Sequence, residues 1–285
     1  MASNASIPAL IVSKSESTHN LEDGIPFASE NLHVGETYLK LDKMLFRITP
    51  DAKKGPPLEG DGGTAVRRFE VEAMKLVAKH TSVPLPEVIY SLISDRSGEI
   101  GMTTIPGTTL ESLWDKLNSE TKKSICCETW DQIAKLREIS QPPALKQFFQ
   151  CLADGSPTLD PLIEDLDRCG TPLYTDEDVR ARIYHRYLHF GGLRYKNELP
   201  DMLPRSSCTV FTHADIAPRN IMVDDHYHIT GILDWEYAGW YPDYWEYAQI
   251  MRPACQTGDW QKWMDLTAPR KWDISGIAAA RRILF

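Results

Sequence analysis

One stretch constrains this chain more than any other. Residues 211–220 read Phe-Thr-His-Ala-Asp-Ile-Ala-Pro-Arg-Asn, and Asp234 closes the apolar run Gly231-Ile232-Leu233, fourteen residues after Asn220. The pattern is His213-x-Asp215-x-x-x-x-Asn220 followed by a second carboxylate. A single His-x-Asp carries no information. The full spacing, with a hairpin and an apolar strand leading to Asp234, is hard to reach by chance. Phosphoryl transfer needs few protein groups: a carboxylate to take or orient the proton of an attacking hydroxyl, and two oxygen ligands to hold Mg²⁺ on the phosphates. Asp215, Asn220 and Asp234 fill these posts in that order, as in a kinase catalytic loop and its metal-binding aspartate. Pro218 stiffens the turn between Asp215 and Asn220.

At 285 residues the chain can bury a large core in one large domain or two lobes. Its 42% hydrophobic and 25% charged residues are those of an ordinary globular protein. A net charge of −9 and a pI near 5.4 argue against a nucleic-acid partner, and they permit a cationic substrate without requiring one. The six cysteines show no Cys-x-x-Cys pair, so reduced thiols are expected, with the adjacent Cys126 and Cys127 facing different ways on a helix. The longest apolar run near the start, Ile7 to Val12, is too short for a membrane span and lacks a basic flank. No membrane partner and a cytoplasmic location are the resulting expectations.

Residues 1–30 read as a lead-in. Thr37 to Leu41 and Met44 to Ile48 read as a strand hairpin, and residues 50–63, with their Pro-Pro and Gly-Gly pairs, as a loop. A helix is predicted from about Thr64 to His80, with Phe69, Ala73, Leu76 and Val77 on its apolar face and Glu70 and Glu72 flanking it on opposite sides. Strands follow at Val88 to Ile93 and Ile100 to Ile105, and Pro106-Gly107 breaks the chain. Strands, one helix and more strands within about 105 residues make a small α+β lobe. From Thr108 the pattern turns helical: a short helix at Leu110 to Trp114, and a longer one from Ser119 to Ile139 burying Trp130, Ile133, Ala134, Leu136 and Ile139. Another helix runs from Asp176 to Leu188, and strands at Ile221 to Val223 and His228 to Leu233 flank Asp224-Asp225. The remainder reads as mostly helical. The expected division is residues 1–105, a nucleotide-binding lobe, and 106–285, a catalytic and substrate-binding lobe.

Several matching stretches make the chain resemble the aminoglycoside phosphotransferase and choline kinase family, most closely its fungal-type members. They are Glu70-x-Glu72-Ala73-Met74, Thr81 to Pro86, Ile105-Pro106-Gly107-x-x-Leu110, Phe211 to Asp215, Pro218 to Ile221 and Asp234 to Pro242. They run from about residue 35 to 250, and the last two together are the specific ones. The resemblance implies an α+β, protein-kinase-like fold of two lobes with ATP (or GTP) in the cleft. It implies Asp215 as catalytic base, Asn220 and Asp234 as Mg²⁺ ligands, and Glu72 as the helix carboxylate pairing with an ATP-contacting cation. Adenine would sit near Met102, Thr103 and Ile105. Two departures stand out. The family's Gly between His and Asp is Ala214 here, a small change that a loop with negative φ accepts. Arg47 falls where the family carries Lys, with Lys40 one strand earlier as a second candidate, and Arg is not a neutral exchange for Lys at a tight phosphate site. No Gly-x-Gly-x-x-Gly covers these strands; only Gly35 is available.

Bland readings stand beside the functional ones. His213 fits a role in holding the loop better than one in proton transfer. Arg219 can touch phosphate or merely pair with an acid. Asp160, Glu164, Asp165 and Asp167 form an acidic stretch of the kind that is usually just solvated. Of Trp235, Trp240, Tyr241, Tyr244 and Trp245, at least half are expected in ordinary packing rather than in an acceptor pocket. The loop lacks the His-Arg-Asp arginine, Asp234 is not followed by Phe-Gly, and no Ala-Pro-Glu follows, so a small molecule suits as acceptor better than a protein. The expectation is a phosphotransferase using ATP (or GTP) and Mg²⁺ on the hydroxyl of a small molecule, as a monomer or homodimer. The alternatives are a binding pseudokinase and a biosynthetic enzyme that phosphorylates an alcohol before elimination.

Overall fold

β-branched and apolar runs on both sides of residues 42–43 form a hairpin, and the hairpin seeds the first sheet. The computed structural model describes residues 37–41, 44–48, 68–93, 98–166, 170–253 and 258–284. In it β1 (Thr37–Leu41) and β2 (Met44–Ile48) pair antiparallel. Helix α1 (Arg68–His80) precedes β3 (Val88–Ile93) and β4 (Gly98–Thr103), and the sheet runs β1-β2-β4-β3, antiparallel throughout. The lead-in, the loop at 50–63 and the first residues of the predicted helix lie outside the described residues.

The i, i+4, i+8 spacing of Phe69, Ala73 and Val77 does bury one face of α1. The helix ends where Thr81 turns back, its N–H and hydroxyl both donating to the Val77 carbonyl, before Pro84 and Pro86 preclude further helix. The Pro84 carbonyl then accepts from the Ile232 N–H at 2.9 Å, tying this linker to the hairpin that carries Asp234. β4 begins and ends two residues earlier than the sequence suggests. Ile105 leaves the strand and presses on Gly231, where an added Cβ would lie 2.7 Å from the isoleucine methyl.

The rest of the chain is helical with two small sheets. β5 (Thr108–Thr109) leads into α2 (Leu110–Leu113), a 3₁₀ turn at Trp114–Lys116, and α3 (Ser119–Arg137), capped by the Asn118 side chain. On α3, Ile125, Cys126, Thr129, Trp130, Ile133 and Leu136 face inward. Ala134, expected inward, is exposed because it falls off that stripe, while Cys126 and Cys127 do part, one buried and one exposed. Next come β6 (Cys151–Leu152), α4 (Asp176–His189) behind a Thr175/Asp178 capping box, and α5 (Leu199–Met202). β7 (Thr209–Thr212), β8 (Ile221–Val223), β9 (Ile229–Ile232) and β10 (Gly239–Pro242) follow, then α6 (Trp245–Ile250), α7 (Trp260–Thr267) and α8 (Ser275–Leu284). β10 was not expected. Its four residues are all buried, and a short run covered on both faces has no period to betray a strand.

The two small sheets are ordered β6-β10-β7 and β5-β8-β9. β7 ends at Thr212 in one and β8 begins at Ile221 in the other, so the 213–220 loop bridges them. One apolar core runs from Val71, Met74, Ile100 and Met102 through Trp130 and Ile133 to Met264, and joins the sheet-rich part to the helical part. A second core gathers Tyr187, Leu199, Tyr241, Trp245 and Ile277. The architecture is α+β and protein-kinase-like, a small sheet-rich lobe and a larger, mainly helical one. Among the described residues no helix is long and apolar enough to cross a membrane.

Candidate active site

The loop after β7 is held from behind by a carboxylate that sequence reading did not single out. Glu246, on α6 and 1% exposed, accepts the His213 N–H at 2.8 Å and the Ala214 N–H at 3.2 and 3.3 Å. Burial raises its pKa to about 7, against the pull of those two N–H groups and of Arg137. Ala214 itself has φ +67°, in the left-handed region, so the expectation of negative φ fails. The residue between His213 and Asp215 must turn back sharply, which suits Gly and strains Ala.

His213 is fully buried, and both of its ring nitrogens are taken by main chain. Nδ1 accepts from the Asp215 N–H at 3.2 Å, so Nε2 carries the proton and donates to the Leu233 carbonyl at 3.0 Å. Burial lowers its pKa to about 4, and Trp235 meets the ring edge-on at 4.6 Å. A neutral imidazole with both nitrogens committed is a brace between the loop and the segment that runs from β9 to Asp234.

Asp215 is 5% exposed. The Asn220 amide nitrogen donates to its Oδ2 and to its main-chain carbonyl, each at 2.9 Å. Pro218 opens a 3₁₀ turn, Pro218–Asn220, that sets this return. The Leu233 N–H donates to the Asn220 carbonyl at 2.8 Å, extending the β8–β9 pairing of Ile221 with Ile232. That bond places Asn220 beside the residue preceding Asp234. Asp234 takes φ +65°, a conformation that a non-glycine residue keeps only where its surroundings impose it. Arg219 donates to Asp215 Oδ2, and Arg252, from the turn after α6, to Oδ1 at 2.5 Å. Arg219 is also within electrostatic reach of Asp234 and Glu111.

The donor set suits Mg²⁺. Asn220 spends its amide nitrogen on Asp215, which leaves its carbonyl oxygen to act alongside the Asp234 carboxylate. Among the described residues no three His, Cys, Asp or Glu side chains gather as a metal cage. A hard cation held by one amide, one carboxylate and substrate phosphates needs none.

Other expectations fare differently. Glu72 does not face inward: its side chain is 46% exposed and meets Lys75 at 3.6 Å, while Glu70 is the buried carboxylate of α1 at 3% exposed. The flanking positions were equivalent on the wheel, and the packing of α1 buries Glu70 instead. Arg47 lies opposite Ile100 and Tyr38 in the sheet, and Lys40 opposite Leu45; their side chains lie outside the described residues. Met102 is buried in the core, registered with Leu45 and Val88. Thr103 is committed to Glu87, its N–H donating to that carbonyl and its hydroxyl accepting the Glu87 N–H, both at 2.9 Å. Asp160 is not a solvated loop charge. It is buried, accepts from the Leu162 N–H at 2.8 Å and from the Gln249 amide, and desolvation raises its pKa. Asp167 lies outside the described residues. Trp235, Trp240, Tyr241, Tyr244 and Trp245 are all buried in packing, so none of these five forms an open pocket wall.

The profile of the phosphotransferase enzyme family matches residues 40–264. Among solved structures, the chain is similar to the complex of gentamicin with APH(2'')-IIa (TM-score 0.53, 12% identity, covering 87% of this chain and 77% of the other). It is also similar to ADP-bound aminoglycoside phosphotransferase APH(2'')-Ib (0.52, 13%, 87% and 80%) and to aminoglycoside-3'-phosphotransferase of type VIII (0.50, 14%, 89% and 95%). At these identities the likeness is one of fold. No curated protein sequence matches the chain. With the family profile spanning most of its length, from the first sheet to α7, the chain belongs to the phosphotransferase enzyme family.

Proposed function

We propose that the protein transfers the γ-phosphoryl group of ATP (or GTP), with Mg²⁺, to a hydroxyl of a small molecule. The observation that carries this reading is the three-point constellation: Asp215 and Asn220 joined at 2.9 Å, with Asp234 brought alongside by the Leu233–Asn220 bond at 2.8 Å. Asn220 and Asp234 hold the cation, which when bound neutralises charge on the phosphates. Asp215 accepts the proton of the acceptor hydroxyl as its oxygen bonds to the γ-phosphorus and the bond to the leaving diphosphate oxygen breaks. His213 and Glu246 hold the loop and take no proton in the step. Glu70 replaces Glu72 as the carboxylate that steadies the nucleotide-contacting cation, with Arg47 as that cation. Because Met102 and Thr103 are committed to core and main-chain contacts, adenine reads the chain beyond them, around Ile105 at the 105/106 lobe boundary.

Asp215→Ala should lower kcat roughly 10²- to 10⁴-fold while leaving the melting shift induced by Mg-ATP in place. Near-normal phosphoryl transfer by that variant overturns the assignment. A wild-type protein that shows no melting shift with millimolar Mg-ATP or Mg-GTP is a pseudokinase instead.

A further inference from the structure

The two oxygens of Asp215 are engaged from different directions. Oδ2 is held from within the loop, by the Asn220 amide and by Arg219 four residues on. Oδ1 is held by Arg252, which reaches in from the end of α6 with a side chain 39% exposed. Arg219 lies on the metal side, near Asp234, whereas Arg252 lies on the helical side, near Asp160 and Arg281. The open face of the base is therefore Oδ1, and Arg252 occupies it.

An acceptor hydroxyl that approaches Oδ1 must move Arg252 aside or lie against it. Asp160, a carboxylate within electrostatic reach of Arg252, is already buried and bonded to Gln249, and Arg281 donates to the same Gln249 and to the Ala248 carbonyl. Among the described residues the ion pair of Arg252 is with Asp215. A displaced guanidinium thus needs an anion from the acceptor itself. A cationic acceptor would leave Arg252 uncompensated and would meet Arg219, the other guanidinium on Asp215, as well.

We propose, resting on the phosphotransferase reading, that the acceptor is an anionic alcohol, a hydroxy acid whose carboxylate pairs with Arg252 and so frees Asp215 Oδ1 for the hydroxyl. Guanidinium and carboxylate match as a two-point fork, which gives geometric selection as well as charge. The acidic net charge of the chain permits a cationic acceptor, and Asp160, Asp234 and Glu236 lie around Tyr237 beside Asp215, but the two guanidiniums seated on Asp215 stand in the way of a cation approaching the carboxylate itself.

The test uses three matched probes on the full chain: gluconate, glucitol and 1-amino-1-deoxyglucitol, the same polyol bearing a carboxylate, a hydroxyl or an ammonium at one end. The melting shift with Mg-ATP is read first, because its absence fails the phosphotransferase reading and takes this proposal with it. With nucleotide binding established, acceptor-stimulated ADP release is measured, along with inhibition of the slow hydrolysis of ATP by water. Gluconate should act at least tenfold more strongly than the amine in one readout or the other, with glucitol between. Arg252→Gln should flatten this order and Arg252→Glu should reverse it, with circular dichroism confirming that both variants fold. Equal action by the three probes, no action by any, or an order unchanged in Arg252→Glu overturns the proposal while leaving the phosphotransferase reading intact.

Discussion

Replacing Glu246 by Ala removes the acceptor for two main-chain N–H groups in the turn before Asp215. Both are buried, and each orphaned donor costs about 1–3 kcal/mol, so the loss of stability should be about 2–6 kcal/mol. Glu246→Gln is milder for a geometric reason. The position of Oε2 lies within reach of both N–H groups, at 2.8 and 3.3 Å, so a single amide oxygen placed there serves both. The new NH₂ then takes the Oε1 site, 3.2 Å from the Ala214 nitrogen, where donor faces donor. About 1–2 kcal/mol at pH 5 is the expected cost. The pH dependence follows from burial, which raises Glu246 to about 7. The folded protein then binds a proton that the unfolded chain releases above its ordinary carboxylate pKa. That contribution is complete below about pH 4.5 and is lost as pH rises through about 7. Gln cannot titrate whereas wild type loses roughly 3 kcal/mol between pH 5 and pH 8, so the deficit should close and become an advantage of about 1–2 kcal/mol at pH 8. Urea unfolding of the three proteins at both pH values reads this directly, with His213 titration largely cancelling in the differences. An Ala variant within 0.5 kcal/mol of wild type, or a Gln deficit that ignores pH, would refute the reasoning.

Two further outcomes follow from the same turn. His213 is held neutral by burial, with its pKa lowered to about 4, so between about pH 4 and 6.5 the unfolded chain binds a proton that the folded one refuses. Its contribution is therefore present above about 6.5 and lost as pH falls through that window, worth roughly 3 kcal/mol in full, and His213→Gln should remove that slope from urea midpoints taken between pH 4 and 7. Ala214→Gly relieves about 1–2 kcal/mol of left-handed strain but gives up a buried methyl, about 0.8 kcal/mol, and frees the unfolded chain by about 0.4–1 kcal/mol. The melting temperature should therefore move by only a few degrees, whereas Ala214→Val, β-branched at the same φ, should lower it by considerably more.

The fold was legible wherever one face is buried and the other wet. Helices α3 and α4 have that character, and their periods place them to within a few residues. Sequence reasoning failed where burial is two-sided or where a neighbour decides. β10 is covered on both faces and leaves no alternation. β4 ends early because Ile105 is drawn onto Gly231, a contact between segments 126 positions apart. Ala134 shows the limit of reading apolar residues as buried ones, since a methyl off the stripe costs little to expose.

The site divides along the same line. Asp215, Asn220 and Asp234 were legible because the loop and the strand pairing that juxtapose them are local, and local spacing is what a sequence displays. The choice of Glu70 over Glu72 was not legible, because it depends on how a helix rolls on a sheet. Glu246 and Arg252 reach the loop from more than thirty residues downstream, one behind it and one in front. A carboxylate in Trp-Glu-Tyr-Ala-Gln reads as surface charge until a turn of unpaired N–H groups is placed against it. An arginine before Pro253 reads as nothing until it is found on Asp215. What the local motif encodes is the chemistry common to all such loops. What sets this protein apart, its strained Ala214 and the guanidinium on the open face of Asp215, comes from a departure within the motif and from a residue outside it. The acceptor is accordingly best sought through Arg252, because the residues of the motif would look much the same whatever the acceptor carried.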